Sequence, residues 1–270
     1  RFRQPNFTRE RQRLNDAIVA ATAQTRNVPR IDLARFYFMR GMPVEAAGLW
    51  QVVGQENPDL ANRPEYHLMN AIAQLTTGNF AVAASELAAV NQPTNDAALW
   101  RGYLAAQQRK WAEAAEQFRP AIARLQDYPE PYYSRLALAA TETFKKTDDD
   151  GLAREVLTML TTRQQAELKQ VTPGAEYLTG VLNANDPTKA RQHFNLAANA
   201  WQQYWRVRAE LALVEADLKD SKIPLEEAVR RYERLRFAWR GDALEFDIVQ
   251  RLAHLHIENY KYSEAFEDYE

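Results

Sequence analysis

One small pattern recurs along this chain: an alanine, a large residue four positions on, and an apolar residue three beyond that. It reads Ala46-Trp50-Val53, Ala83-Leu87-Val90, Ala114-Phe118-Ala121, Ala153-Leu157-Leu160, Ala190-Phe194-Ala197 and Ala228-Tyr232-Leu235, and it opens again at Ala265-Tyr269. The alanines step by 37, 31, 39, 37, 38 and 37 residues. Offsets of four and three put all three side chains on one face of an α-helix. The alanine lets a neighbouring helix approach closely, and the large residue fills the space beside it. A pattern with this period cannot be served by strands, and a fixed repeat of this length is the mark of stacked supersecondary units.

A second helix precedes each marked one. Residues 32–40 run into Gly41-Met42-Pro43, residues 65–77 into Gly78-Asn79-Phe80, and residues 96–108 into Arg109-Lys110-Trp111. Short polar or glycine links favour antiparallel neighbours. Prolines at Pro43, Pro187 and Pro224 suit the first turn of the helix that follows. The uncharged run from Tyr66 to Ser85 has the length of a membrane span, but His67, Asn70, Gln74, Thr76, Thr77 and the Gly78-Asn79 turn signal make it a hairpin of two short helices. No membrane span is expected in this segment. With 9 glycines and 12 prolines in 270 residues, the chain is also poor in the turn formers that an all-β fold requires. Seven hairpins account for most of it.

The pattern resembles the tetratricopeptide repeat (TPR) family. Leu33-Ala34, Tyr37, Gly41, Ala46, Trp50 and Pro58 carry the resemblance in the first full hairpin, Gly102, Trp111, Ala114 and Phe118 in the third, and Leu252-Ala253, Tyr262, Ala265 and Tyr269 in the last. It covers about residues 30–270. The resemblance implies an all-α fold, a right-handed superhelical solenoid of about seven antiparallel helix hairpins, because no hairpin can bury its own apolar face alone. Most steps exceed the family's usual period of about 34 residues. Four stretches are expected: a leading helix in 1–30, with Leu14, Ile18 and Ala21 at helical spacing; three regular hairpins in 31–125; degenerate hairpins in 126–200, where a kink or change of curvature would fall; and further hairpins in 201–270, the last truncated. The sequence is expected to be a segment of a longer protein.

Few chemistries find support. Cysteine is absent, which excludes disulfides and thiol nucleophiles. The four histidines, His67, His193, His254 and His256, show no pair four apart on one helix face, so no metal site is expected. No glycine-rich phosphate loop or Gly-x-Ser-x-Gly turn occurs, and no cofactor or catalytic residue is expected. Consecutive acids at Asp148-Asp149-Asp150 lack the alternation of a calcium loop and read as an N-terminal cap for the next helix. A net charge of −2 disfavours nucleic acid. That charge is uneven: residues 1–40 carry +6 and residues 241–270 carry −6, which would let the two ends steer self-association. Trp50, Phe118, Phe194 and Tyr232 fall at packing positions, whereas Trp100, Trp201, Trp205 and Trp239 are off that register, either packed between hairpins or exposed to a partner.

In the family that the chain resembles, the first helix of each hairpin lines a concave groove that holds segments of other proteins. By helical phase, that resemblance places Arg35, Phe38 and Met39 toward the groove in the first full hairpin, Ile72 and Thr76 in the second, and Tyr103 and Gln107 in the third. The expectation is a non-enzymatic scaffold or adaptor that binds a protein or peptide partner. The alternative is the helical accessory region of a larger enzyme, such as one that acts on cell walls. The repeats have a bacterial style, and a cell-envelope (periplasmic) location is the expectation.

Overall fold

The computed structural model describes residues 6–267, and its regular structure among them is helical. The helices are α1 (Phe7–Ala20), α2 (Asn27–Met39), α3 (Pro43–Glu56), α4 (Pro58–Ala61), α5 (Pro64–Thr77), α6 (Phe80–Ala89), α7 (Asn95–Gln107) and α8 (Trp111–Ala121). After a 3₁₀ segment at Ile122–Asp127 come α9 (Tyr132–Lys146), α10 (Asp150–Glu167), α11 (Pro173–Leu182), α12 (Pro187–Ala198), α13 (Gln203–Lys219), α14 (Leu225–Ala238), α15 (Ala243–Glu258) and α16 (Tyr262–Glu267). None is long and apolar enough to cross a membrane.

The repeated alanines explain the architecture. Ala46, Ala83, Ala114, Ala153, Ala190, Ala228 and Ala265 fall in α3, α6, α8, α10, α12, α14 and α16, the second helix of seven successive pairs, and every one is buried. Their partners Trp50, Leu87, Phe118, Leu157, Phe194 and Tyr232 are buried too, as are Val53, Val90, Ala121, Leu160, Ala197 and Leu235. Opposite the two phenylalanines the first helix gives up its side chain. A β-carbon on Gly102 would lie 3.0 Å from the Phe118 ring, and one on Gly180 would lie 2.5 Å from Phe194 Cε1. The fold is therefore all-α and TPR-like, with helical pairs repeated along the chain.

The turn inside six of the seven pairs is built the same way. Gly41, Gly78, Arg109, Asp148 and Tyr260 have positive φ, and each stands five residues before its marked alanine. Ser221 has positive φ in the sixth pair. In each case the next amide donates to a carbonyl five residues back: Met42 to Tyr37, Asn79 to Gln74, Lys110 to Ala105, Asp149 to Phe144, Lys222 to Asp217 and Lys261 to His256. That is the Schellman termination, which satisfies carbonyls that a helix end leaves bare. On the far side Pro43 and Pro187 open their helices, and Pro224 caps α14. Asp149 Oδ1 accepts from the Leu152 amide at 3.1 Å, so the acidic loop caps α10.

The chain divides into two compact units, one ending at Val156 and one beginning at Leu157, within α10. In the first, α1 packs on α2, and the pairs α2/α3, α5/α6 and α7/α8 follow in sequence order, with α9 against α7 and α8. Leu14 is the buried residue of α1, and Phe7 meets Phe36 at 5.4 Å. In the second, α11/α12, α13/α14 and α15/α16 follow in the same order. Helix α11 spans Pro173–Leu182, with Pro173 in its first turn, where a missing N–H costs nothing.

Candidate functional site

In the first unit, α2, α5 and α7 present the face on which a partner groove is expected. The chain itself lies across that face. Pro120 stands near the end of α8, and Pro129 and Pro131 supply no backbone N–H, so an α-helix cannot run through this stretch unbroken. Instead a 3₁₀ segment, a bend and a turn carry residues 122–131 over the helices, and we refer to this stretch as the strap.

Aromatic side chains fasten the strap. Tyr128, almost fully buried, accepts a hydrogen bond from Trp100 Nε1 at 3.1 Å and donates one to Asp96 Oδ1 at 2.9 Å. Burial drives its phenol well above the ordinary tyrosine range, and the Asp96 charge pushes the same way, so the O–H stays intact as a donor. Tyr132, the first residue of α9, is 1% exposed and stacks on Phe38, with centroids 4.4 Å apart and planes 12° from parallel. Trp100 is fully buried, edge-on to Tyr103, Tyr128 and Tyr132 at 5.8, 5.9 and 6.0 Å. Gly41 makes the approach of Pro131 feasible: a β-carbon there would lie 2.5 Å from Pro131 Cδ, and its φ of +74° already favours glycine.

A cavity of about 240 Å³ opens beside the strap. Phe38, Met39, Leu68, Met69 and Ile72 supply its apolar wall from α2 and α5, and Tyr128 and Pro129 close it from the strap. Three carboxylates, Glu65, Asp96 and Asp127, share its lining with one guanidinium, Arg124. Arg124 donates to Asp127 Oδ2 at 2.6 Å and to Asp96 Oδ1 at 3.3 Å. A second cavity of about 330 Å³ lies by the α2–α3 turn, between Pro43, Thr76, Pro131 and Arg135.

The seven residues expected in the groove part company here. Phe38, Met39 and Ile72 meet around the first cavity, where Met39 is 56% exposed and Ile72 is buried in the wall. Thr76 lines the second and donates its hydroxyl to Ala73 O at 2.7 Å. Arg35 is exposed and pairs with Asp32 at 3.6 Å. Gln107 is exposed, whereas Tyr103 is buried beside Trp100, and that burial pushes its phenol up. None of these last three lines either cavity. Sequence reasoning missed the strap residues Arg124, Asp127, Tyr128, Pro129, Pro131 and Tyr132. The signal was there: two prolines among three tyrosines at 128–133, at the start of the stretch expected to hold degenerate hairpins.

The second unit holds a different arrangement. A cavity of about 450 Å³ lies between α13 and α14, with Leu213, Val214 and Leu235 in its wall and Glu210, Arg231 and Arg234 among its charges. Burial raises the Glu210 carboxyl, against the pull of Arg206 and Arg234. Among the described residues no group of three or more His, Asp or Glu is placed to hold a metal ion. His67 and His193 each sit 2.7 Å from a glutamate, Glu86 and Glu176. Of the tryptophans off the repeat register, Trp100 is buried, Trp205 and Trp239 are half-buried, and Trp201 is 85% exposed.

No protein-family model matches the chain, and no curated protein is similar to it in sequence. Among solved structures, the chain is similar to Pseudomonas aeruginosa PilF, with a TM-score of 0.49 and 17% identity, over 90% of this chain and 99% of that one. It is also similar to the P58(IPK) TPR domain, with a TM-score of 0.30 and 15% identity, over 90% of this chain and 81% of that one.

Proposed function

We propose that this chain is a non-catalytic scaffold or adaptor, and that it binds segments of partner proteins at the α2–α5 face of its first unit. The observation that carries this reading is the apolar cavity beside the strap, open to solvent at Met39. Exposed apolar surface rimmed by polar residues marks interaction sites, and methionine, with its flexible thioether, adapts to more than one occupant. At about 240 Å³ the recess is below the 300–1,000 Å³ range of drug-sized ligand sites, so one side chain of a partner is the fitting guest. Because the strap covers the line from Phe38 to Trp100, a partner meets the edge of the strap and does not run the length of the helical face.

Site-specific crosslinking tests the reading. A photoreactive phenylalanine analogue at Met39 should trap a partner in the native host, and the same analogue at Val82, 48% exposed on α6, should not. Adducts at Val82 and none at Met39 would defeat the assignment. The alternative, an accessory region of a larger enzyme, uses the same face and differs only in what is tethered to it.

A further inference from the structure

The cavity beside the strap has a charge pattern that its apolar wall does not require. Three carboxylates line it against one guanidinium, and Arg124 is already committed to two of them, Asp96 and Asp127. Asp96 is further tied down, accepting the Tyr128 hydroxyl and lying 30% exposed, whereas Asp127 is 59% exposed and Glu65 stands exposed on α5. The rim therefore carries a net formal charge of −2, contributed by α5, α7 and the strap around a recess sized for one side chain. Apolar surface alone would accept any apolar residue. A net negative rim adds attraction for a cation and repels an anion at the same place, so it selects among apolar guests by their neighbours.

We propose that the recess takes a partner segment in which a large apolar side chain stands within a residue or two of a lysine or arginine. The apolar side chain enters against Met39 and Met69, and the cation lies over the opening between Glu65 and Asp127. Four of the eleven residues that line this site are supplied by the strap, so recognition depends on the fastening of residues 124–129 as well as on the helices. The inference rests on the scaffold reading above and narrows its partner class.

Selection of short random peptides displayed on phage, against the whole chain, tests it. The peptides recovered should pair an apolar residue with a nearby Lys or Arg, and Met39→Glu should lower their affinity about tenfold or more. Glu65→Lys should weaken the same peptides and shift a fresh selection toward acidic neighbours. Raising salt should weaken binding to the unaltered chain, because the rim charges face solvent. Met39 and Glu65 are both exposed, so unchanged far-ultraviolet dichroism is expected and serves as the folding control. Recovered peptides that respond to Met39→Glu but show no basic neighbour would overturn the charge inference and leave the site standing. If no peptide is recovered, or binding is indifferent to Met39→Glu, the inference and the scaffold reading at this face fail together.

Discussion

The two units solve the same stacking problem with different materials. In the first, the interior beyond the repeat positions is aromatic: Trp100, Tyr103, Tyr128 and Tyr132 converge, and Phe38 joins them. In the second, arginines stitch successive helices. Arg251 of α15 donates to both carboxylate oxygens of Glu215 on α13, at 2.8 and 3.1 Å, and Tyr232 of α14 donates to the same carboxylate at 2.6 Å. Arg191 of α12 reaches Asp217 and Asp220, and Arg231 of α14 reaches Asp217 and Glu227. These pairs are partly exposed, so each is worth little alone, and their value lies in a network that fixes orientation. The lesson is that the alanine register sets which helices touch, while the filling of the remaining space is open to quite different chemistry.

The contrast can be broken by substitution. Trp100→Ala should cost most, about 3–5 kcal/mol, because it leaves a large cavity and strips Tyr128 of a donor. Chemical denaturation should show the transition of the first unit moving while that of the second holds, and the cost should be the same at low and high salt. Gly41→Ala comes next, at about 1–3 kcal/mol, since the new methyl group meets both Pro131 and an unfavourable φ. A cost near zero in a thermal melt would mean that the strap does not press on the α2–α3 turn.

Arg251→Ala should cost least, about 1 kcal/mol, in keeping with a pair whose side chains are 29% and 41% exposed. Unlike the Trp100 effect, it should shrink as salt rises. Burial pushes the Glu215 carboxyl up, but hydrogen bonds from Arg251 and Tyr232 outweigh burial and hold it below the ordinary glutamate range. Its contribution is therefore complete above about pH 4.3 and is lost as pH falls through the depressed folded value. An acid titration of the second unit should show this loss, and Arg251→Ala should flatten it.

The sequence made the repeat legible because its signal is local and sterically strict. Each marked alanine must be small for a helix to lie against it, and all seven are buried. The turns were nearly as readable, with Gly41 and Gly78 at positions where φ is positive. Arg109, Asp148, Ser221 and Tyr260 hold the same conformation without advertising it, so register and not residue type locates them. The groove was harder. Helical phase pointed Tyr103 and Ile72 toward a groove; both are buried, and phase does not reveal what covers that face. The covering is a contact between Phe38 and Tyr132, 94 positions apart in sequence, and no periodicity encodes it. Trp100 likewise looked out of place among repeat positions, because its reason is the strap's Tyr128.

The uniform turn has a practical corollary. In the five pairs where the positive-φ residue precedes its alanine by a constant five positions, the corner is a fixed joint, while the rods on either side range from 10 residues in α6 to 18 in α10. Length changes are thus absorbed outside the joints. A cassette cut between one pair and the next and spliced elsewhere in the chain would carry its own corner intact, so only the two seams would need redesign.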